Sequence, residues 1–315
     1  MKILKKQFIL KKLLYGIVVF ALSAISNQGY AQDSTASKKD STASKKADIK
    51  IARVKNTFGG TYIIDNQTVM VPIKNTFEFA IQHRFGTINN GYSDFAGLFA
   101  PANIRLGWNY VPIDNLQLGI GICKDKMQWD GNVKYSISKQ AKAGGCPVSV
   151  TYYGNMAVST LAKKDNFVSN ADRIAYFNQL IIARKITDKF SAQVAPSMSY
   201  FNNVDGYRAT DGSIQPKMKN QHAAVAVLGR YMVLDYLGII ANYDQPLTQH
   251  LTNNPHPNIS FGIEFVTIAH TFQIFMGNYQ YILPQNNNFY NQNDYTKSQY
   301  LIGFNITRRW NFHKG

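Results

Sequence analysis

The sequence predicts an all-β fold: a transmembrane antiparallel up-and-down β-barrel of about 12 strands, with short periplasmic turns and long extracellular loops. Three observations predict it. Twelve segments alternate apolar and polar residues with a period of two, their connections sort into tight turns and long polar loops, and the chain starts as an exported protein does.

Taken in order, Lys2, Lys5, Lys6, Lys11 and Lys12 precede an apolar stretch from Leu13 to Ile25, and Gly29-Tyr30-Ala31 offers small residues for a signal peptidase. Residues 1–31 are expected to be a cleaved signal peptide. An uncleaved membrane helix is the alternative, but the apolar run is shorter than the roughly 20 residues a span needs. No Cys lies near the cleavage site to carry a lipid anchor. Residues 32–48 contain the heptapeptide DSTASKK written twice, a low-complexity composition without apolar residues that predicts a disordered tether. A solvated spacer and a basic arm for anionic lipid or peptidoglycan are both compatible with it. Residues 49–75 are too apolar to be free: Phe58-Gly59-Gly60-Thr61-Tyr62-Ile63-Ile64 and Gln67 to Pro72 are expected to line the periplasmic mouth or to enter the lumen as a plug. Pro72 argues against a central strand there.

The barrel is expected over 76–315. In Ala102 to Val111, Ile104, Leu106, Trp108 and Tyr110 alternate with Asn103, Arg105, Gly107 and Asn109, so one face suits lipid and the other does not. Leu116 to Ile122 repeats the pattern after the turn residues Pro112 to Asn115. The remaining segments are Phe77 to Arg84, Val133 to Gln140, Val148 to Leu161, Arg173 to Ile186, Phe190 to Phe201, His222 to Val233, Tyr236 to Tyr243, Asn258 to Val266, His270 to Gly277 and Gln299 to Arg309. Asn178 breaks the lipid-facing pattern of its segment. The long connections Gly86 to Pro101, Asn202 to Lys219, Pro246 to Pro257 and Tyr279 to Ser298 then fall on one side, and short ones such as Thr187-Asp188 fall on the other. Independent soluble hairpins have no reason to sort this way.

Thr57-Phe58, Asn66-Gln67, Glu78, His83-Arg84-Phe85-Gly86, Ile104-Arg105-Leu106-Gly107, Gly119-Ile120-Gly121, Asp130-Gly131 and Lys134-Tyr135 together resemble a family of uncharacterised membrane-bound β-barrels from Gram-negative bacteria. The resemblance runs from about Thr57 to the C-terminus. It implies a barrel in the outer membrane with no established activity, and it carries no catalytic residues across.

Inward-facing charge candidates are Glu78, Arg84, Arg105, Lys134, Arg230, Asp244 and Glu264. Rings of such groups set ion preference in an open pore, or pair across a plugged interior where a lone charge would be costly. In an open lumen the upper pair Arg84 and Arg105 would favour anions. Twelve strands tilted near 40° give a backbone radius of roughly 12 Å, which leaves a narrow channel at most. Gly107, Gly119, Gly121, Gly238, Gly262 and Gly303 fall on inward positions, where they leave room either for solute or for large neighbours such as Phe275. Trp108, Tyr110, Tyr231, Tyr236 and Trp310 cluster near one rim, as an interfacial aromatic belt does.

Other chemistry is sparse. His83, His222, His250, His256, His270 and His313 show no metal-ligand spacing, so no metal is expected, and His250 and His256 read as solvated loop residues beside Asn253 and Asn254. No cofactor motif is present. Outward-facing His83 with Ser298 is the only start of a lipid-hydrolase arrangement, and no third member is evident. Cys123 and Cys146 fall at opposite ends of the barrel, too far apart for a disulfide. The net charge is +16, but five of the 34 basic residues lie in the leader and the repeat carries a net two, so about +9 remains on the rest. Nucleic acid is a poor partner for an exported barrel. Expected partners are outer-membrane lipid, a small solute, and the barrel-insertion machinery, which would read the aromatic C-terminal run from Tyr300 through Phe304 and Trp310 to Phe312. The expected function is passive movement of small solutes or ions through a narrow lumen. A closed barrel binding through the loops Asn202 to Lys219 and Tyr279 to Ser298 is the alternative, with a lipid hydrolase as a third reading.

Overall fold

The computed structural model describes residues 52–163 and 167–312. The expected signal peptide with its cleavage site, the expected tether at the DSTASKK repeat, and His313 lie outside the described residues. A small hairpin, β1 (Tyr62–Ile63) and β2 (Asn66–Gln67), precedes the barrel. The barrel strands follow as β3 (Thr76–Thr87), β4 (Asn103–Ile113), β5 (Leu116–Cys123), β6 (Gln128–Ser138), β7 (Ser149–Ser159), β8 (Ile174–Lys185) and β9 (Phe190–Phe201). An exposed loop hairpin, β10 (Gly206–Arg208) with β11 (Ile214–Pro216), separates them from β12 (Gln221–Leu234), β13 (Leu237–Pro246), β14 (Asn258–Val266) and β15 (His270–Gly277). A short helix α1 (Pro284–Tyr290) then precedes β16 (Leu301–Asn311).

Twelve strands pair antiparallel with their neighbours in sequence, and β16 closes on β3. The barrel is therefore closed and has no free edge. Strict alternation carries this result: along β3 every second residue from Thr76 to Gly86 is buried inside, while Phe77, Phe79, Ile81, His83 and Phe85 face out. No helix among the described residues is long and apolar enough to cross a membrane. Asn178 does face outward, and its amide oxygen accepts from the Tyr152 hydroxyl at 2.5 Å, so the polar group is satisfied on the outer wall.

Strand bounds follow the sequence reading with one substantive difference. The segment is expected from Val133 to Gln140, whereas β6 starts at Gln128, so Trp129-Asp130-Gly131-Asn132 belong to its first half. Asp130 is tolerated in a strand because it points inward onto Arg105, as described below. The β5–β6 connection on the long-loop side is consequently only 124–127. On the other side 139–148 is the longest connection, and residues 52–54 pair with it through an Arg53–Ala141 bridge, Val54 N–H to Gln140 O (2.8 Å) and Lys142 N–H to Ala52 O (2.9 Å). Both cysteines are free thiols, Cys123 at the long-loop end of β5 and Cys146 in the 139–148 connection at the opposite end.

Candidate functional site: a lumen closed by two inserted segments

Two segments fill the barrel. The first is 57–71, in which Phe58, Ile63, Ile64 and Val69 are buried against Phe177, Ile181, Leu228, Ile240 and Phe275 of the wall. The other inner sector is lined by amides, and these bond the plug backbone. Gln273 receives the Ile64 N–H (3.0 Å) and donates to Tyr62 O (2.9 Å); Gln193 donates to Gln67 O (2.7 Å), and Asn305 donates to Ile64 O (2.5 Å). Such bonds satisfy plug groups that would otherwise be buried unpaired. Ile64 adopts a φ of +57°, a costly conformation for a β-branched residue, and those wall contacts hold it there.

The second segment is the connection after β15. As Tyr279 to Ser298 it was expected as a surface binding loop, but its first half turns inward. Ile282, Leu283, Gln285, Asn286, Asn287 and Phe289 are buried. Side-chain amides of Asn-rich α1 donate to wall acceptors, Asn286 to Gln128 Oε1 (2.6 Å) and Gln285 to Asn155 Oδ1 (2.9 Å). The two segments meet at Asp65, which sits in the plug turn. Its carboxylate accepts from the Tyr279 hydroxyl (2.8 Å), from Asn242 Nδ2 of β13 (3.1 Å) and from Asn287 Nδ2 of α1.

All seven predicted lumen charges point inward and are buried. Arg105 is held by Asp130 through Nε–Oδ1 (2.8 Å) and Nη2–Oδ2 (2.7 Å), and Arg230 pairs with Glu264 at 2.7 Å. Lys134 donates to Thr61 O (3.0 Å) on the plug, and Glu78 accepts from the Thr61 hydroxyl (2.7 Å) and Asn109 (3.1 Å). Asp244 accepts from Asn66 (2.9 Å) of the plug and from Asn242 (2.9 Å). Arg84 donates to Asn305 (3.0 Å) and lies 4.5 Å from the centroid of the Phe275 ring. Arg84 and Arg105 are thus not an equivalent pair, because Asp130 neutralises Arg105. Asp130 and Asp65 are the partners that sequence reading missed. The first lies ahead of the segment expected from Val133, and the second carries no periodic signal.

The inward glycines make room for side chains. A Cβ on Gly303 would lie 2.6 Å from the Phe275 ring, and one on Gly107 would lie 2.7 Å from the Arg105 guanidinium. The five belt aromatics all lie on the outer wall near the short-turn rim, and a second group, Trp129, Tyr176 and Tyr200, faces out near the long-loop rim. Trp129 lies ahead of the segment expected from Val133, while Tyr176 and Tyr200 fall within expected segments. His83 and Ser298 do not meet: His83 registers with Phe304 and lies 5.0 Å from its ring, whereas Ser298 lies beyond the end of β16.

His250 is not solvated; it is buried, and its Nε2 lies 2.9 Å from Nδ1 of His222. The rings are within 10° of parallel with centroids 5.1 Å apart, an edge-to-edge arrangement, and Phe289 of α1 packs against both. Because Lys219 N–H donates to His250 Nδ1 (2.9 Å), neutral His250 carries its proton on Nε2 and donates it to His222. A further proton has no site that does not break one of these bonds. Burial and the nearby Lys219 cation hold the His250 pKa below its usual value. The loop anchor is therefore at full strength above about pH 6.5, the unperturbed histidine value, and weakens as pH falls from there toward His250's depressed value. The protection factors of amides in 247–257, corrected for the intrinsic pH dependence of exchange, are expected to fall between pH 7.5 and 5, and that fall should vanish in His250→Gln.

A family model described as membrane bound beta barrel domain (DUF5777) matches residues 58–310, which includes the plug as well as the barrel. The chain belongs to this family. Membership in DUF5777 makes it a membrane-bound β-barrel. Among curated proteins none matches. Similar solved structures include the NanC porin (9% identity, TM-score 0.45, covering 74% of this chain and 98% of that one). An outer membrane channel from Pseudomonas putida F1 is similar at 11% identity and TM-score 0.44, covering 76% of this chain and 97% of the channel. The toluene transporter TodX of Pseudomonas putida is similar at 9% identity and TM-score 0.36, over 78% of this chain and 91% of TodX. Likeness at this level carries no inference about what the DUF5777 chain transports or binds.

Proposed function

We propose that the protein is an outer-membrane channel for small solutes or ions whose lumen is closed in this conformation by the 57–71 plug and the inserted α1 loop. The observation that carries this reading is the amide-lined inner wall. Gln82, Gln117, Gln179, Gln193, Gln273, Asn109, Asn155, Asn242 and Asn305 all face inward and are buried, and amides that bond a plug backbone bond water equally well once it leaves. The wall serves the closed state by bonding the plug backbone, and it would serve an open, hydrated lumen by bonding water. The outer-membrane location is supported by the segregation of short turns and long loops and by the export-type leader. The loss of Arg105 to Asp130 leaves Arg84 as the upper cation able to favour anionic solutes.

Planar-bilayer recordings test this reading. The mature chain is expected to be mostly silent, and a form lacking residues 52–72 to show steady conductance steps whose anion preference falls in Arg84→Gln. Silence from both forms, with each shown to be a folded barrel by circular dichroism, would leave a closed barrel that presents the exposed β10–β11 hairpin as a binding platform.

A further inference from the structure

The short-turn rim carries a feature the lumen does not explain. On the outer wall, Trp108 of β4, Phe79 of β3, Arg308 of β16 and His270 of β15 stand in one row by direct cross-strand pairing. One step nearer the rim, Tyr110, Phe77 and Trp310 form a second row. Rings within the patch pack on one another, with Phe79 and Trp108 centroids 5.7 Å apart and Phe77 and Trp310 also 5.7 Å apart. Arg308 is the cation inside this aromatic patch. Its guanidinium carbon lies 4.7 Å from the centroid of the Trp310 ring, its side chain is exposed, and no carboxylate among the described residues lies within ion-pair distance of it.

An unpaired arginine on a membrane-facing wall is costly unless something anionic meets it. The rim as a whole is basic: Lys74 is exposed next to β3, and Arg53, Lys139, Lys142, Arg184 and Lys189 are exposed along its β6 to β9 side, against the acids Asp114, Asp188 and Asp235. At the opposite rim the signs alternate, as in Asp125-Lys126 and Asp172-Arg173. The patch is continuous with the aromatic belt at the depth where lipid headgroups lie. A guanidinium presents a planar fork of donors that matches phosphate oxygens, and its stacking on Trp310 holds that fork in place.

We infer that Arg308, with Trp310, Phe77 and Tyr110, forms a binding site for the phosphate headgroup of an anionic phospholipid in the leaflet on the short-turn side. Arg308 takes the phosphate, and the rings cover the glycerol and upper acyl carbons.

The test uses the full mature chain in vesicles, with Trp108→Phe leaving Trp310 and Trp129 as the fluorophores and Trp310→Phe in the same background isolating Trp129. Brominated phosphatidylglycerol is expected to quench Trp310 in preference to brominated phosphatidylcholine by about fivefold in effective affinity, the factor one cation contributes at an anionic membrane surface. Trp129, at the other rim, is expected to show no such preference. Arg308→Gln should abolish the preference, Arg308→Lys should keep part of it, and Arg184→Gln should leave it in place. Free inorganic phosphate should not compete. Equal quenching by the two lipids, or a preference that survives Arg308→Gln, would overturn the assignment. Loss of the preference in Arg184→Gln as well would replace a site with a diffuse basic rim. Arg308 is exposed on the outer wall, so Arg308→Gln is expected to fold, and its circular dichroism checks that it has.

Discussion

Arg105→Ala is expected to lower the folding stability of the barrel by about 3–5 kcal/mol, the cost of leaving a buried carboxylate without its cation. Arg105 and Asp130 form a two-pronged pair with both side chains nearly inaccessible. Gln82 accepts from the same guanidinium at 3.1 Å, and Asn155 donates to Asp130 at 3.0 Å. After truncation Asp130 keeps only the Asn155 amide, a single neutral donor facing a full negative charge. Urea unfolding in phospholipid vesicles, followed by tryptophan fluorescence, measures the loss. The double variant Arg105→Met with Asp130→Leu is expected to recover most of it, because removing both charges also removes their desolvation cost. A single-variant loss below about 1 kcal/mol, the range of an exposed pair, would show that water reaches this site and that the lumen is more open than described.

The second large effect is expected at Asp65. Asp65→Ala removes one acceptor group shared by three donors: Tyr279 and Asn287 of the inserted loop and Asn242 of the wall. Hydrogen bonds to a charged acceptor are worth roughly 1.5–3 kcal/mol each, and bonds that share an acceptor do not add. A total of about 3 kcal/mol for releasing the two segments from each other corresponds to a factor on the order of 10² in their opening. Amide hydrogen exchange should then accelerate by about that factor in 57–72 and in 280–290, while β4 to β6 keep their protection. Asp65→Asn, which retains a carbonyl acceptor, should fall between the two. Unchanged exchange in both segments would place the closing contacts elsewhere, in the apolar face formed by Phe58 and Ile63.

The barrel was legible in the sequence because strand alternation is a local signal. Each outward Ile, Leu or Tyr and each inward Gln, Asn or Gly reports its own face, and β9, β14 and β15 begin and end where that alternation does. The lumen was legible only in part. The inward positions of Glu78, Arg84, Arg105, Lys134, Arg230, Asp244 and Glu264 follow from the pleat, but their partners do not. Asp130 lies outside the expected Val133 to Gln140 segment, and its place in a strand is supported by Arg105 and Asn155, which the pleat alone does not pair with it. Asp65 and His250 lie on irregular segments and Asn287 on a short helix, where no period relates a side chain to a wall tens of residues away. A polar, Asn-rich loop reads as solvated whether it faces water or a polar cavity, so the inward turn after Tyr279 left no trace in composition.

The seam between β16 and β3 joins the last strand to the first, across more than two hundred residues of chain. The plug lies on the N-terminal side of that seam in sequence and touches both of its edges: Ile64 O accepts from Asn305 on β16 and from Arg84 on β3. A contact between such distant residues forms late, since the loop entropy of everything between must first be lost. The plug is therefore present, attached to the first strand, before the last strand arrives. The barrel is wrapped around its own stopper, and the Ile64 carbonyl acts as a clasp that rewards the final joint. One carbonyl thus ties the closing seam to the seated plug, so a change at either is felt at both.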